Sequence, residues 1–375
     1  MYGQNPNYEE TPLTFQAQDT DLLFRVMQTN ESQALVGLGG GGKSNFIAHF
    51  LRREARMSYI KDRPYYHYVI VQLNPHHLLH PEKRALEHSG SAWAGYELML
   101  NRLRIALKDL YDDPLTAEEK TEVERVTAKL GQYYRNMYRR HPLIAQSGLR
   151  RVEDAIEEVL SINESWRLVF ILDEFEEFLR RLPTEFFQSL RGLRDDRKRR
   201  MAFMIASRYA PDDLLTEFGT QKPKVFESFI ELFYDFTLYL RPLDPDSVNY
   251  VVYRYAQRYN QPATPLQQQL IIALSGQHAG LIRHCFLPVL QESARYSDTE
   301  QLAQVVVQYY GVYRECESMY SSLSKKEQET LLALAHGRPV PYPEAAFSLF
   351  RKHVLMPDRQ TIRIPLLRAF MRLRK

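Results

Sequence analysis

The chain alternates short apolar runs with longer stretches of helical period. Gln33 to Val36, His67 to Leu73, Arg167 to Leu172, Met201 to Ser207 and Tyr234 to Leu240 predict buried strands. The segments between them predict helices. Thr20 to Thr29 places Leu22, Leu23, Val26 and Met27 on one face, and Ser44 to Arg56 sets Phe46, Ile47, Phe50 and Leu51 against Arg52, Arg53 and Glu54. Ala92 to Leu110 is periodic, Thr116-Ala-Glu-Glu119 is a capping box opening a helix to about Arg140, before Pro142, and Ser147 to Ile162 forms another. Thr184 is expected to cap a helix with Phe186, Phe187, Leu190 and Leu193 inward. Strands alternating with helices predict an α/β fold built on a parallel sheet.

Beyond Leu240 the pattern changes. The linker Arg241-Pro-Leu-Asp-Pro leads into amphipathic helices from about Asp246 to Tyr296. From Ser324 a third pattern begins: Ser324-Lys-Lys-Glu327 caps a helix to Ala335, a second runs from about Glu344 to His353, and 356–364 makes a hairpin-like wing, the outline of a winged helix. The expected division is an N-terminal segment and helix at 1–30, a core at 31–240 with a helical insertion at about 75–165, a helical lid at 241–312 and a winged helix at 313–375.

The 375 residues are 44% apolar and 25% charged, which suits two or three packed modules and excludes a disordered chain. No apolar run approaches the roughly 20 residues of a membrane span, and the N-terminus lacks the features of a signal peptide, so the expectation is a cytoplasmic protein without membrane contact. Cys285 and Cys316 have no disulfide or metal-ligand pattern and are expected in the core. The net charge of +3 does not by itself imply nucleic acid. Its distribution is uneven, however: 351–375 holds eight Lys or Arg (351, 352, 359, 363, 368, 372, 374, 375) against the single acid Asp358.

The chemistry concentrates where the first apolar run ends. Gly37-Leu38-Gly39-Gly40-Gly41-Gly42-Lys43-Ser44 fits G-x-x-x-x-G-K-[ST] between a strand and a helix. Glycines 37, 39, 40, 41 and 42 let the loop wrap a phosphate with its N–H groups inward, Lys43 supplies a point charge for the β- and γ-phosphates, Ser44 a hydroxyl for Mg²⁺, and Asn45 follows in the nucleotide-binding set. The helix N-terminus adds its dipole. A second half follows 130 residues after Lys43, where the apolar run Leu168 to Leu172 ends in Asp173-Glu174. Asp173 is assigned to Mg²⁺ and Glu174 to polarising the attacking water as general base. The plainer alternative is that both acids only open the helix that follows.

Other residues leave the choice open. Ser207 or Arg208, at the end of the 201–207 run, would reach the γ-phosphate if that strand lies beside the Asp173 strand, or else Arg208 is a surface arginine. Arg191, Arg194, Arg197, Lys198, Arg199 and Arg200 are either a finger for a neighbouring subunit or a solvated helix end. The histidines at 76, 77, 80 and 88 match no metal-ligand spacing. Ser275-Gly-Gln-His-Ala-Gly280 leads into a helix carrying Arg283, suited to reach back to the nucleotide.

The order of these parts resembles the AAA+/STAND class of P-loop ATPases (AAA+/ASCE type), including bacterial and archaeal STAND-type proteins and, more distantly, origin-recognition ATPases. GLGGGGKS and LVFILDEFEEF carry the resemblance most specifically. FFQSLRGLRDDRKRRMAFMIASR, LYLRPLDPDSVNYVVYRYA and LSGQHAGLIRHC look like the sensor strand, lid entry and lid motif, and the match covers nearly the whole chain. The resemblance implies ATP and ADP as ligands, Arg208 as first sensor and Arg283 as a possible second. Two positions depart from it, Ala279 where the lid motif often has proline and Pro365 where immune-receptor relatives keep a histidine. It implies an ATP-hydrolysing conformational switch, slow in turnover, that regulates assembly with a separately encoded partner protein and can self-associate in the ATP state. The alternative it leaves is a DNA-binding AAA+ ATPase, an origin- or transposition-type loader using its basic winged helix on duplex DNA.

Overall fold

The computed structural model describes residues 11–60, 68–79, 92–110, 113, 115–139, 145–218, 225–296 and 298–374. Residues 1–10, His80, His88 and Lys375 lie outside the described residues.

A five-stranded parallel sheet carries the fold. Its strands are β1 (Gln33–Val36), β2 (Tyr68–Leu73), β3 (Arg167–Leu172), β4 (Met201–Ser207) and β5 (Thr237–Tyr239), in the order β2-β3-β4-β1-β5. Tyr68 to Leu73 pair with Arg167 to Leu172, and Leu168 to Leu172 with Met201 to Ile205. This register aligns the carboxyl ends of three strands, so Asp173 leaves the sheet beside the end of β2. Buried apolar residues run unbroken along β3 and β4, as both faces are covered.

The chain forms two compact units. One comprises 22–35 and 56–238 and contains most of the sheet. Helices α4 (Ala92–Asp109), α5 (Ala117–Arg139) and α6 (Ala145–Leu160) pack together, with α4 also on β2. The capping box at Thr116 forms with both of its hydrogen bonds, Glu119 N to Thr116 Oγ1 and Thr116 N to Glu119 Oε2. Phe175, Phe187, Phe203 and Phe229 stack edge to face beside the sheet. Two further helices, α7 (Phe175–Arg181) and α8 (Thr184–Asp195), follow β3. Thr184 is not the cap expected of it. It is the first helical residue, because Pro183 at φ −74°, ψ 164° already holds the extended conformation that precedes a helix. The basic side chains of this helix end are engaged within the unit: Arg194 on Glu31 at 2.7 Å, Arg197 on Glu157 at 2.7 Å, Arg191 and Lys198 on Asp195.

The other unit comprises 1–21, 36–55 and 239–375. After α1 (Ala17–Gln28), the helix that follows the glycine loop, α2 (Lys43–Leu51), stops earlier than its period predicts. Arg52 turns extended at ψ 134° and a separate helix, α3 (Arg53–Ile60), begins. The guanidinium of Arg52 then donates to the Thr11 carbonyl. Helices α11 (Pro245–Tyr259), α12 (Pro265–Ser275), α13 (Ala279–Glu292), α14 (Thr299–Val306), α15 (Tyr310–Ser321), α16 (Lys325–Ala335), α17 (Pro343–Arg351) and α18 (Pro365–Leu373) follow, with α9 (Pro211–Phe218) and α10 (Val225–Ile230) preceding β5 in the first unit. One apolar core, including Val248, Ile282, Phe286, Val306, Leu349 and Phe370, runs through 243–371, and Cys285 and Cys316 are buried in it. Ser324 and Glu327 cap α16 reciprocally, and Leu355 bridges Ile362 antiparallel between α17 and α18.

The basic C-terminal stretch is largely occupied. Lys352 is buried on Glu327 at 2.7 Å, and Arg363 is half-buried with its guanidinium on Gln277 at 2.7 Å. Arg368 and Arg372 share Glu300, while Arg351, Arg359 and Arg374 lie over the rings of Tyr239, Phe347 and Tyr320. None of the described helices is long and apolar enough to cross a membrane.

Candidate functional site

The glycine loop takes backbone conformations that its sequence requires. Gly40 has φ +67° and Gly42 φ +90°, both left-handed, and Gly42 stands at the N-cap of α2 without a side-chain cap. The helix therefore presents uncapped N–H groups and its positive end at the loop. Lys43 folds back, its Nζ donating to Gly37 O at 2.7 Å and Leu38 O at 3.0 Å.

The loop's carbonyls and one N–H are bound by the helical part of the same unit. His278 donates from Nε2 to Gly39 O at 3.1 Å, Gly280 N donates to Gly40 O at 3.0 Å, and Gly39 N donates to Ser322 Oγ at 3.2 Å. His278 is also the N-cap of α13, its Nδ1 accepting from Leu281 N at 3.3 Å. One neutral tautomer satisfies both bonds. Burial lowers its pKa to about 4, so that tautomer persists at neutral pH.

A cavity of about 650 Å³ opens on this loop. Gly40, Gly41 and Gly42 form its phosphate end together with Asn45 of α2. Phe15 lines it between His49 and Tyr250, meeting both rings edge to face with centroids 5.6 and 6.3 Å away, an aromatic wall on which a base could pack. Arg52, Arg254, Arg258 and Arg283 supply positive charge, and Glu315 is the cavity's carboxylate. The volume lies in the range of small-ligand pockets. Arg283 thus lines the same cavity as the glycine loop. The sequence reading did not find Phe15, His49, Tyr250, Arg254 or Glu315, because no local motif marks them.

In the sheet-bearing unit, Asp173 is buried at the end of β3. Its Oδ1 accepts from Glu174 N at 3.0 Å and its Oδ2 from Gln72 Nε2 at 3.3 Å. Glu174 is the N-cap of α7 at φ 49°, ψ 52°, with its carboxylate 3.4 Å from His76 Nε2. This leaves Asp173 buried and Glu174 partly exposed. Ser207 is buried and accepts from Tyr209 N at 3.0 Å, and Arg208 pairs with buried Glu176 at 3.2 Å. His77 lies against Arg102 rather than with His76.

No protein-family profile and no curated protein matches the chain. Solved structures do. The Walker-type ATPase PABY2304 of Pyrococcus abyssi aligns over 95% of this chain and 95% of its own, with 14% identity and a TM-score of 0.52. The fold is that of this Walker-type ATPase. Weaker likenesses include the ORC2 protein of Aeropyrum pernix in its ADPNP and ADP complexes (15% identity, TM-score 0.44, 95% and 92% of the chains). The ORC1 protein of the same organism in complex with DNA is similar at 12% identity and TM-score 0.42, over 95% and 92%. At these identities the likeness speaks for the fold, and the chemistry rests on this chain's own residues.

Proposed function

We propose that this chain binds ATP on its glycine loop, hydrolyses it slowly, and uses the difference between the ATP and ADP states to reposition its helical C-terminal part, with assembly onto a partner protein, or onto further copies of itself, as the output. The observation that carries this reading is the set of bonds from His278, Gly280 and Ser322 to the loop carbonyls and N–H. Any change in the loop on nucleotide binding reaches α13 and α15 through them. The donor set fits a nucleoside triphosphate: left-handed glycines, an uncapped helix N-terminus, an apolar wall and four arginines in one cavity.

Roles follow residue by residue. Gly37, Gly39, Gly40, Gly41, Gly42 and Asn45 cradle the phosphates, Lys43 neutralises them, and Arg283 reaches them from α13. Ser44 and, separately, Asp173 are each assigned as ligands for Mg²⁺, which would supply charge neutralisation on the phosphate oxygens. Glu174 orients and deprotonates the attacking water, and Arg208 is assigned to the γ-phosphate. Residues 313–375 are read as the winged helix.

Amide exchange and sedimentation of the purified chain test this reading. Exchange in 276–323 is expected to differ between the ATP and ADP states, and a state-dependent change in assembly to accompany it. Identical exchange and assembly in both states would remove the switch.

The second reading, a DNA-binding ATPase, rests on the basic C-terminal stretch. Lys352 is buried and Arg363 half-buried, so among the described basic residues of this stretch Arg351, Arg359, Arg368, Arg372 and Arg374 are the candidates to meet phosphates. Salt-sensitive duplex binding that weakens on replacing Arg359 and Arg374 would favour this reading.

A further inference from the structure

One group in the cavity opposes its ligand. Glu315, on α15, lodges its carboxylate between the glycine loop and the first turn of α13: a Cβ on Gly40 would fall 1.6 Å from Glu315 Oε1, and one on Gly280 1.9 Å. Only glycine at both positions leaves room for it. Oε1 is buried without a hydrogen-bond partner. The facing ring nitrogens are His278 Nδ1, 3.9 Å from Oε1, and His284 Nε2, 3.9 Å from Oε2. The first already accepts from Leu281 N, and burial together with Arg283 holds the second ring toward its neutral form. Arg283 is the cation acting on Glu315, and burial nevertheless raises the carboxyl's pKa.

A buried carboxylate lacking a hydrogen bond is costly, and a protein retains one where its release serves a purpose. Phosphates arriving on the same loop add like charge at close range in a partly desolvated site, which raises that cost further. The same helix α15 runs on to Ser322, whose hydroxyl holds Gly39 N.

We propose that nucleotide binding expels the Glu315 carboxylate from its seat between Gly40 and Gly280, so that α15 reports whether the loop is occupied. The inference rests on the ATP reading and supplies its regulation. It makes the ligand-free chain self-restrained: Glu315 lowers nucleotide affinity, and the energy of displacing it is transmitted to α15 and the helices beyond.

Calorimetric binding of ADP and of inorganic tripolyphosphate to wild type, Glu315→Gln and Glu315→Ala tests this, with amide exchange over 310–321. Both ligands are expected to bind about tenfold tighter to the charge-free variants. Wild-type amides in 310–321 should change exchange at saturating ADP, and those of Glu315→Gln should change less, because the neutral side chain can stay. Affinities unchanged within about twofold, or weakened in both variants, would overturn the proposal. So would wild-type exchange indifferent to ADP. Wild-type binding with indifferent variants would overturn this inference alone, whereas failure of all three proteins to bind either ligand would remove the ATP reading as well. Thermal unfolding of the ligand-free variants at or above the wild-type temperature establishes that they fold.

Discussion

At the scale of single residues, Glu174 and His278 carry the sharpest expectations. Glu174 holds a left-handed backbone, which costs a non-glycine residue roughly 1–2 kcal/mol and is retained where the side chain's direction matters. Glu174→Gln should lower ATP turnover by about a hundredfold or more while nucleotide affinity changes little, as loss of a general base predicts. Lys43→Ala should instead abolish binding, measured by displacement of a fluorescent nucleotide. His278 makes stability depend on pH. Its folded pKa is about 4, below the ordinary 6.5, so the unfolded chain binds the proton first. That contribution is complete above pH 6.5 and is lost as the pH falls toward 4, by roughly 3 kcal/mol. Urea unfolding of wild type and His278→Asn between pH 7 and 4.5 checks this, with a shallower slope expected for the variant.

At the scale of elements, the legible parts were those set by local chemistry. The strands 33–36 and 167–172, the capping boxes at Thr116 and Ser324, and the glycine loop follow from residue type and spacing within a few positions. The break of α2 at Arg52 did not follow, because no Gly or Pro marks it and the Arg52 bond to the Thr11 carbonyl is a contact distant in sequence. The cavity wall was hidden for the same reason. Phe15, Tyr250 and Glu315 lie far apart in sequence and meet only once the unit has folded. Charge counting misled in the C-terminal stretch, since Lys352 is interior. It joins α17 to α16 through Glu327, which also accepts from Ser348 and Ser324 N. Lys352→Met would leave that carboxylate buried and uncompensated, and should cost about 3–5 kcal/mol in urea unfolding. A loss under about 1 kcal/mol would mean that Ser348 and the backbone suffice.

At the scale of the molecule, most of the parallel sheet lies in one unit, and the glycine loop belongs with the helical C-terminal part in the other. In such an arrangement the loop is not a freestanding ligand site. Its outer face is held by α13 and by Ser322, and its seat beside Gly40 is taken by Glu315. A nucleotide that reshapes the loop must act on these contacts, which is the basis for reading the protein as a switch. Of the basic side chains at the C-terminus, Arg363 is half-buried on Gln277. Arg363→Ala is therefore expected to lower the unfolding temperature more than it affects any duplex affinity, measured by fluorescence anisotropy at two salt concentrations.

The central proposal is that the chain binds ATP through Lys43 of the glycine loop and turns it over with Glu174 as the base. Steady-state phosphate release by the purified protein, wild type beside Glu174→Gln, tests it most directly. Slow wild-type turnover that Glu174→Gln abolishes while ATP still binds is the predicted result. Equal rates in the two proteins, or no release from wild type under conditions where ATP binds, would contradict it.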